Sequence, residues 1–345
     1  QTIYQVNGNL RSPYTMQTGV TVERQLTKSA NLSVTYLNSR GVHQFFTTNI
    51  NALDPVTGLR PNGTDQNIFQ YQSEGTFKQN QLIVNSSIRM GQKLSLFGYY
   101  TLNYANSDTS GAGSFPSNPL DVSQDYGRAS FDTRHRVFFG GSVGLPAGFR
   151  LSPFMIASSG SPFNITTGQD LYGDAIFNIR PSIGNCSSGV TGVKQTQYGC
   201  FNLATQPGQP VIPINDFTGP GRFTLNFRLS KTFGFGQKKE ATAAGGPGGA
   251  MVVRGPGGGG PRGGGGGEHG GGDRGGGMFG GNPSNQRYSL TFSVNARNVF
   301  NNVNVANPIG NLSSPLFGQS NALVGGPFSS STANRRIDLQ VSFNF

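Results

Sequence analysis

Large apolar residues recur on alternate positions in many short stretches of this chain. In "RRIDLQVSFNF" they are Ile337, Leu339, Val341, Phe343 and Phe345, with Asp338, Gln340, Ser342 and Asn344 between them. A period of two places the two sets on opposite faces of a β-strand. "RFTLNFRLS" sets Phe223, Leu225, Phe227 and Leu229 against Thr224, Asn226, Arg228 and Ser230. "RYSLTFSVNAR", "KLSLFGYYTLNY" and "QLIVNSSIRM" alternate in the same way, as does "HRVFFGGSVGL" with Phe138 as its exception. "YTMQTGVTVERQL" and "ANLSVTYLNS" alternate more weakly. "GFRLSPFMIAS" is the poorest case, because Pro153 disfavours a central ladder position. No run shows capped helical spacing, so the chain reads as all-β, with about nine strands at 14–26, 30–40, 80–91, 93–105, 134–145, 149–158, 222–233, 287–300 and 335–345.

The connectors alternate in length. Short ones are 27–29, 91–92 and 146–148; long ones, rich in Gly, Pro, Asn and Ser, are roughly 41–79, 106–131, 159–221 and 303–334. Short turns on one side and long loops on the other describe an up-and-down antiparallel transmembrane β-barrel, with short periplasmic turns and extracellular loops. The connector at 236–285 lies on the short side yet is long and Gly-dominated. It buries too little apolar area to offset its ordering entropy, and reads as a disordered periplasmic insert. An odd strand count puts Gln1 on the loop side and Phe345 on the turn side, as in a C-terminal piece of a larger barrel. If 68–77 crossed separately the count would be ten and a small closed barrel would follow. We read 68–77 instead as an extracellular extension of the 80–91 strand, broken near Gly75.

Composition favours lipid over a soluble sandwich. Only 34% of residues are hydrophobic and 12% charged, with no Trp. The face opposite the apolar one is small and uncharged, with an occasional Arg, and the segments match the ~9–11 residues a tilted strand needs to cross the bilayer. No run of 18 apolar residues marks a transmembrane helix, which leaves the crossing to strands. Tyr104, Phe233, Phe235 and Tyr288 stand near strand ends as candidate girdle aromatics. The net charge of +11 suits an anionic surface or nucleic acid, but the Lys and Arg are scattered and not massed in one run.

Candidate chemistry is sparse. Cys186 and Cys200 share one Gly/Ser/Pro-rich loop, which fits a disulfide in an oxidising compartment; two free thiols are the alternative. The three histidines, His43, His135 and His269, are far apart, and no metal-ligand spacing occurs. Ser159 lacks a hydrolase elbow and no Gly run is a phosphate loop, so neither an enzyme nor a cofactor is implied. Three arginines among few aromatics make the Gly-rich insert a flexible tether and not a nucleic-acid-binding segment. Asp132, Arg134, His135 and Arg136 form the densest charged cluster, either a lumen or rim site or a salt-bridged strand start. Arg89, Arg136, Arg228 and Arg297 face the lumen, where they would meet a plug or an anionic substrate. In the loop 159–221, Tyr172, Phe177, Tyr198 and Phe201 are candidate ligand contacts, or parts of a structured lid.

Several stretches resemble one family. "SPYTMQTGVTVERQL…NLSVTYLNSRGVHQFFTTNINA", "FDTRHRVFFGGSVGLPAGFRLSPFMIASSGSPFNITTG", "RYSLTFSVNARNVFNNVNVANPIG" and "RRIDLQVSFNF" together are similar to the barrel of TonB-dependent outer-membrane receptors. The nearest branch is the Oar-like one, whose members carry a carboxypeptidase-regulatory-like domain. The resemblance implies roughly the last nine strands of a barrel of about 22. It also implies a plug and TonB box outside this chain, uptake or export of a large substrate such as a peptide or glycan, and residence in a Gram-negative outer membrane. Partners would be outer-membrane lipid and lipopolysaccharide, the barrel assembly machinery, and the plug and TonB system. Phe345, Phe343 and Val341 then resemble the terminal signal read by that machinery. The alternatives are a self-contained small porin or adhesin, and a secreted β-rich binding protein.

Overall fold

The computed structural model describes residues 1–91, 93–188, 191–204, 209–238, 286–324 and 333–345. The Gly-rich insert expected at 236–285 lies, from residue 239 on, outside the described residues. Nine wall strands form: β1 (Tyr14–Thr27), β2 (Ala30–Asn49), β3 (Asn67–Met90), β4 (Leu94–Ser107), β5 (His135–Gly144), β6 (Phe149–Ser158), β7 (Arg222–Lys238), β8 (Gln286–Arg297) and β9 (Arg336–Asn344). Each pairs antiparallel with its sequence neighbour, giving one meander from β1 to β9. Among the described residues β1 and β9 do not pair, so the sheet is open.

Register carries the apolar face across the wall without a break. Val34 faces Val84, Val84 faces Tyr100, and Tyr100 faces Val137. Farther round, Leu151 faces Leu229, Leu229 faces Val294, and Val294 faces Leu339. Leu339 and Val341 are 80% and 62% exposed, as residues meant for lipid are in the absence of lipid. At the turn-side rim Phe235, Tyr288, Phe343 and Phe345 stack on one another, and Lys231 lies over Phe149 and Phe233. Rings of this kind with a snorkelling cation mark a membrane–water boundary.

Two strands run longer than their alternation suggested. β2 and β3 continue beyond the band on the loop side, and a short parallel strand, Thr2–Val6, joins them there along residues 67–71. The pairing holds one extra residue first in β2, between Gly41 and Gln44, then one in β3 opposite Gln44–Phe46. His43 takes φ 57° at the first bulge, and Gly75 sits opposite Gln44, where a Cβ would lie 2.7 Å from the Gln44 carbonyl oxygen. A bulge resets the in–out alternation, so the period of two stops being readable where the strand continues. Residues 68–77 are therefore the upper part of β3, as expected.

Pro153 stands in a central strand, against the expectation from its ring. The β5–β6 ladder keeps its register but skips the Gly141–Pro153 and Ser142–Ser152 positions, so the ring, which has no N–H to give, sits at a gap in that ladder. Gly141 has φ 153°, and a Cβ there would lie 2.1 Å from the Ser95 carbonyl oxygen on β4. Only glycine lets the three strands stay together at that point.

Candidate functional site

The four long connectors do not hang free. We name them L1 (50–66), L2 (108–134), L3 (159–221) and L4 (298–335). Phe163, Ile165, Phe201 and Ile212 of L3 pack with Leu312 of L4 in one buried cluster, against which Tyr198, Phe217 and Phe317 lean. Ala52 of L1 packs with Tyr172 and Ile179 of L3 in a second. Two small apolar cores turn the loops into a cap on the long-loop end of the wall.

Buried polar knots lock the cap. The Arg180 guanidinium is 2.6 Å from Asp125, with both side chains almost wholly buried. It also donates to the carbonyls of Ile212 at 2.6 Å and Gln124 at 2.7 Å, while Asp125 accepts from the Ser117 hydroxyl and backbone N–H. Burial pushes Arg180 below its ordinary value, and the Asp125 charge opposes that shift. Arg60 of L1 donates to the Gly173 carbonyl of L3 and to Asn51 and Asn67 nearer home. Asn307 of L4 donates to the Pro162 carbonyl and accepts from Ser161. Burial, with Asp170 close by, raises Asp174 to about 6; the N–H of Ile176 and the Arg60 charge oppose this. Burial and then Asp174, Asp121 and Asp125 push Tyr172 up to about 12.

Cys186 and Cys200 form the expected disulfide, with Cα atoms 5.7 Å apart, bracing a hairpin of 193–196 with 199–202. The four candidate contact aromatics separate. Tyr172 and Phe201 are buried in the two cap cores and Tyr198 leans on one of them, so these three hold the cap together. Phe177 alone presents an exposed ring, at 55%. A small polar cavity of about 60 Å³ lies between L2 and L3, lined by Asp108, Asp125, Arg128 and Asn215 among others. It has room for a few waters and none for a large cargo.

The charged cluster also divides. Asp132 is fully buried and pairs with Arg128 at 2.9 Å and Arg134 at 3.0 Å, while accepting from Asn103 and the Ala105 N–H. Four donors on one carboxylate make a salt-bridged strand start, the second of the two readings of these residues. His135 faces outward, with its Nδ1 2.8 Å from the Tyr100 hydroxyl. Arg136 faces the polar side, in one row with Thr101, Ser158 and Arg222.

That row is the base of the cap seen from inside. Arg136 and Arg222 flank Ser158 from the two neighbouring strands. Below them Tyr99, Phe138, Phe97 and Phe154 form a ring patch, with Phe138 centroids 5.4, 5.7 and 5.2 Å from the other three. Phe138, the exception to its strand's alternation, belongs to this inward patch, which Gly140 makes room for. Sequence alone missed Arg222, whose neighbour Arg136 lies 86 positions away; the register signal that joins them needs the pairing of three strands. Of the other lumen candidates, Arg297 pairs with Asp338 at 3.0 Å and Arg228 donates to Ser293. Arg89 faces Ser95 near the turns.

A family model described as outer membrane beta barrel domain matches residues 1–242. Among solved structures the chain is similar to the outer membrane transporter YddB from Escherichia coli, at 10% identity and a TM-score of 0.45, covering 97% of this chain and 32% of that one. It is similar also to the FrpB iron transporter from Neisseria meningitidis, at 7% identity and a TM-score of 0.44, covering 99% of this chain and 33% of that one. The chain thus spans about a third of each of those chains. No curated protein matches it.

Proposed function

This chain belongs to the outer membrane beta barrel domain family, and from that premise we propose that it is the C-terminal wall and extracellular cap of a larger TonB-dependent transporter of the Oar-like branch. Its place is the outer membrane of a Gram-negative bacterium. That overturns the reading as a secreted, soluble β-rich protein. The role is transport, by uptake or export of a large substrate such as a peptide or glycan, with no catalysis.

One observation carries this reading over a small self-contained porin or adhesin. Among the described residues the wall is open, and its edge strands β1 and β9 run in the same direction, as the first and last of nine in a meander must. Strands running the same way cannot close antiparallel on each other, nor can two copies of such a sheet close edge to edge. Antiparallel closure needs an odd number of further strands. A barrel of about 22 strands supplies about 13, which satisfies the parity. The Arg136–Arg222 row above the ring patch is then the wall surface that a plug or passing substrate meets first beneath the cap.

The test uses the full-length protein in planar bilayers and in a binding assay with the periplasmic domain of TonB. A plugged, energised transporter shows no persistent conductance and binds that domain. Steady porin-like conductance without TonB binding would overturn the proposal.

A further inference from the structure

Arg136 on β5 and Arg222 on β7 both stand opposite Ser158 of β6, on the inward face of the wall. Two strand spacings put their backbones about 9.6 Å apart. Ser158 between them is small, so both long stems can lean over it toward one point. Each arginine feels the charge of the other. Both are half-buried, and neither takes part in any of the four ion pairs among the described residues. Asp132, level with the row above, already accepts from Arg128, Arg134, Asn103 and the Ala105 N–H. Asp338, the one carboxylate on the inward face of β4–β9 among the described residues, is taken by Arg297. Two cations held this close repel unless an anion sits between them.

The next inward row, about 6.6 Å farther from the cap, runs Tyr99, Phe138, Ile156 and Thr224. It is largely apolar on a face made mostly of Ser, Thr, Asn and Arg. Its rings do not share one plane. Tyr99 stacks on Phe138 at 17°, Phe97 is tilted to it by 36°, and Phe154, buried behind, meets it edge-on at 80°. A flat platform would suit the face of a sugar; crossed rings form a notch that suits the edge of another ring.

We propose that this is a binding site for the C-terminus of a peptide whose last residue is aromatic. Arg136 and Arg222 take the α-carboxylate, and Tyr99, Phe138 and Ile156 take the side chain. The inference rests on the transport reading and names its class of substrate. Two features select this occupant. The paired cations require an anion, for which the wall holds no spare carboxylate. The notch one row away requires that the anion carry a ring about one side chain distant, as a terminal Phe does. The row is also the last before β6 and β7 pass into L3, so it faces cargo arriving from the loop side.

The experiment titrates full-length protein in detergent with a fluorescent Ala-Ala-Ala-Ala-Phe peptide, as free acid and as C-terminal amide, reading polarisation. Wild type binds the acid about tenfold or more tightly than the amide, because a hydrogen bond to a charged group is lost with the carboxylate. Arg136→Gln/Arg222→Gln removes that preference and binds the two forms alike. Phe138→Ala keeps the preference for acid but loses about fivefold in affinity for Phe over Ala at the last position. Heat-shifted mobility on gels shows that the variants are folded barrels, and the acid–amide comparison in wild type needs no variant. Equal binding of acid and amide by wild type, or no binding of either, would overturn the proposal. So would a galacturonate oligomer displacing the peptide at equal concentration, which would make this an acidic-glycan site. An unchanged acid preference in the double arginine variant, with steady conductance newly present, would also overturn it, since the pair would then hold a carboxylate of the plug. TonB binding and blocked conductance of the wild type are measured on the same sample, so failure here is separable from failure of the transport reading.

Discussion

Replacing Arg180 by Met removes the cation that joins L2 to L3 while keeping much of its volume. The change deletes one buried ion pair and the bonds to the Ile212 and Gln124 carbonyls. Asp125, only 3% exposed, keeps its two donors from Ser117 but loses its counter-charge. Breaking one side of such a pair costs about 3–5 kcal/mol, because a buried charge is left uncompensated. The hydrogen-bond partners of the pair, Ser117, Gln124 and Ile212, all lie in loops, so the loss falls on the cap. Amide exchange in 115–126 and 178–188 should therefore speed up at least about a hundredfold, at about 1.4 kcal/mol per tenfold, with wall exchange and β-sheet circular dichroism unchanged. Adding Asp125→Leu should restore part of the protection, since an apolar pair in place of a buried ion pair is often neutral. Exchange in those segments within tenfold of wild type would refute the view that this knot holds the cap closed. A double variant weaker than Arg180→Met alone would refute the reasoning about the stranded charge.

Three further outcomes follow. Folded Asp174 holds its proton up to about pH 6 against the ordinary carboxyl value of 3.8, so cap stability rises as pH falls through 6 and levels off below 3.8. Between pH 7 and 5 the gain is on the order of 1 kcal/mol, and Asp174→Asn should abolish the difference in exchange measured at the two values. Replacing both Cys186 and Cys200 by Ser should cost the hairpin roughly 3 kcal/mol of local stability, seen as faster protease nicking in L3 with an intact, heat-modifiable wall. Gly310→Ala would put a Cβ 1.9 Å from the Asn164 carbonyl oxygen at the seam of L3 and L4, so this variant should lose about 1–3 kcal/mol of cap stability, checked by the same exchange measurement.

The wall was legible because lipid imposes a period of two that survives strand by strand, and all nine strands formed close to where alternation put them. It became illegible at Gly41–Phe46, where paired bulges reset the alternation. Pro153 misled for a related reason: the ladder gap that admits it depends on Gly141 in another strand. The loops carry no period at all. An aromatic in an irregular segment looks alike whether it is a contact or a core residue, and so Tyr172 and Phe201 read as ligand contacts although they are buried. Arg180 gave no signal, because its partners Ser117 and Asp125 lie 63 and 55 residues away in another loop.

The cap's two kinds of fastener differ in when they can close. Cys186 and Cys200 are 14 positions apart within one loop, so their bond needs only that loop and an oxidant. The Arg180–Asp125 knot joins loops separated by β5 and β6, and so needs both loops on the same side of the membrane. The hairpin can mature in the periplasm as a small, pre-closed cargo of the growing barrel. The knot can tie only once β5 and β6 have paired into a hairpin that brings L2 and L3 side by side, which makes it a record of the assembled wall.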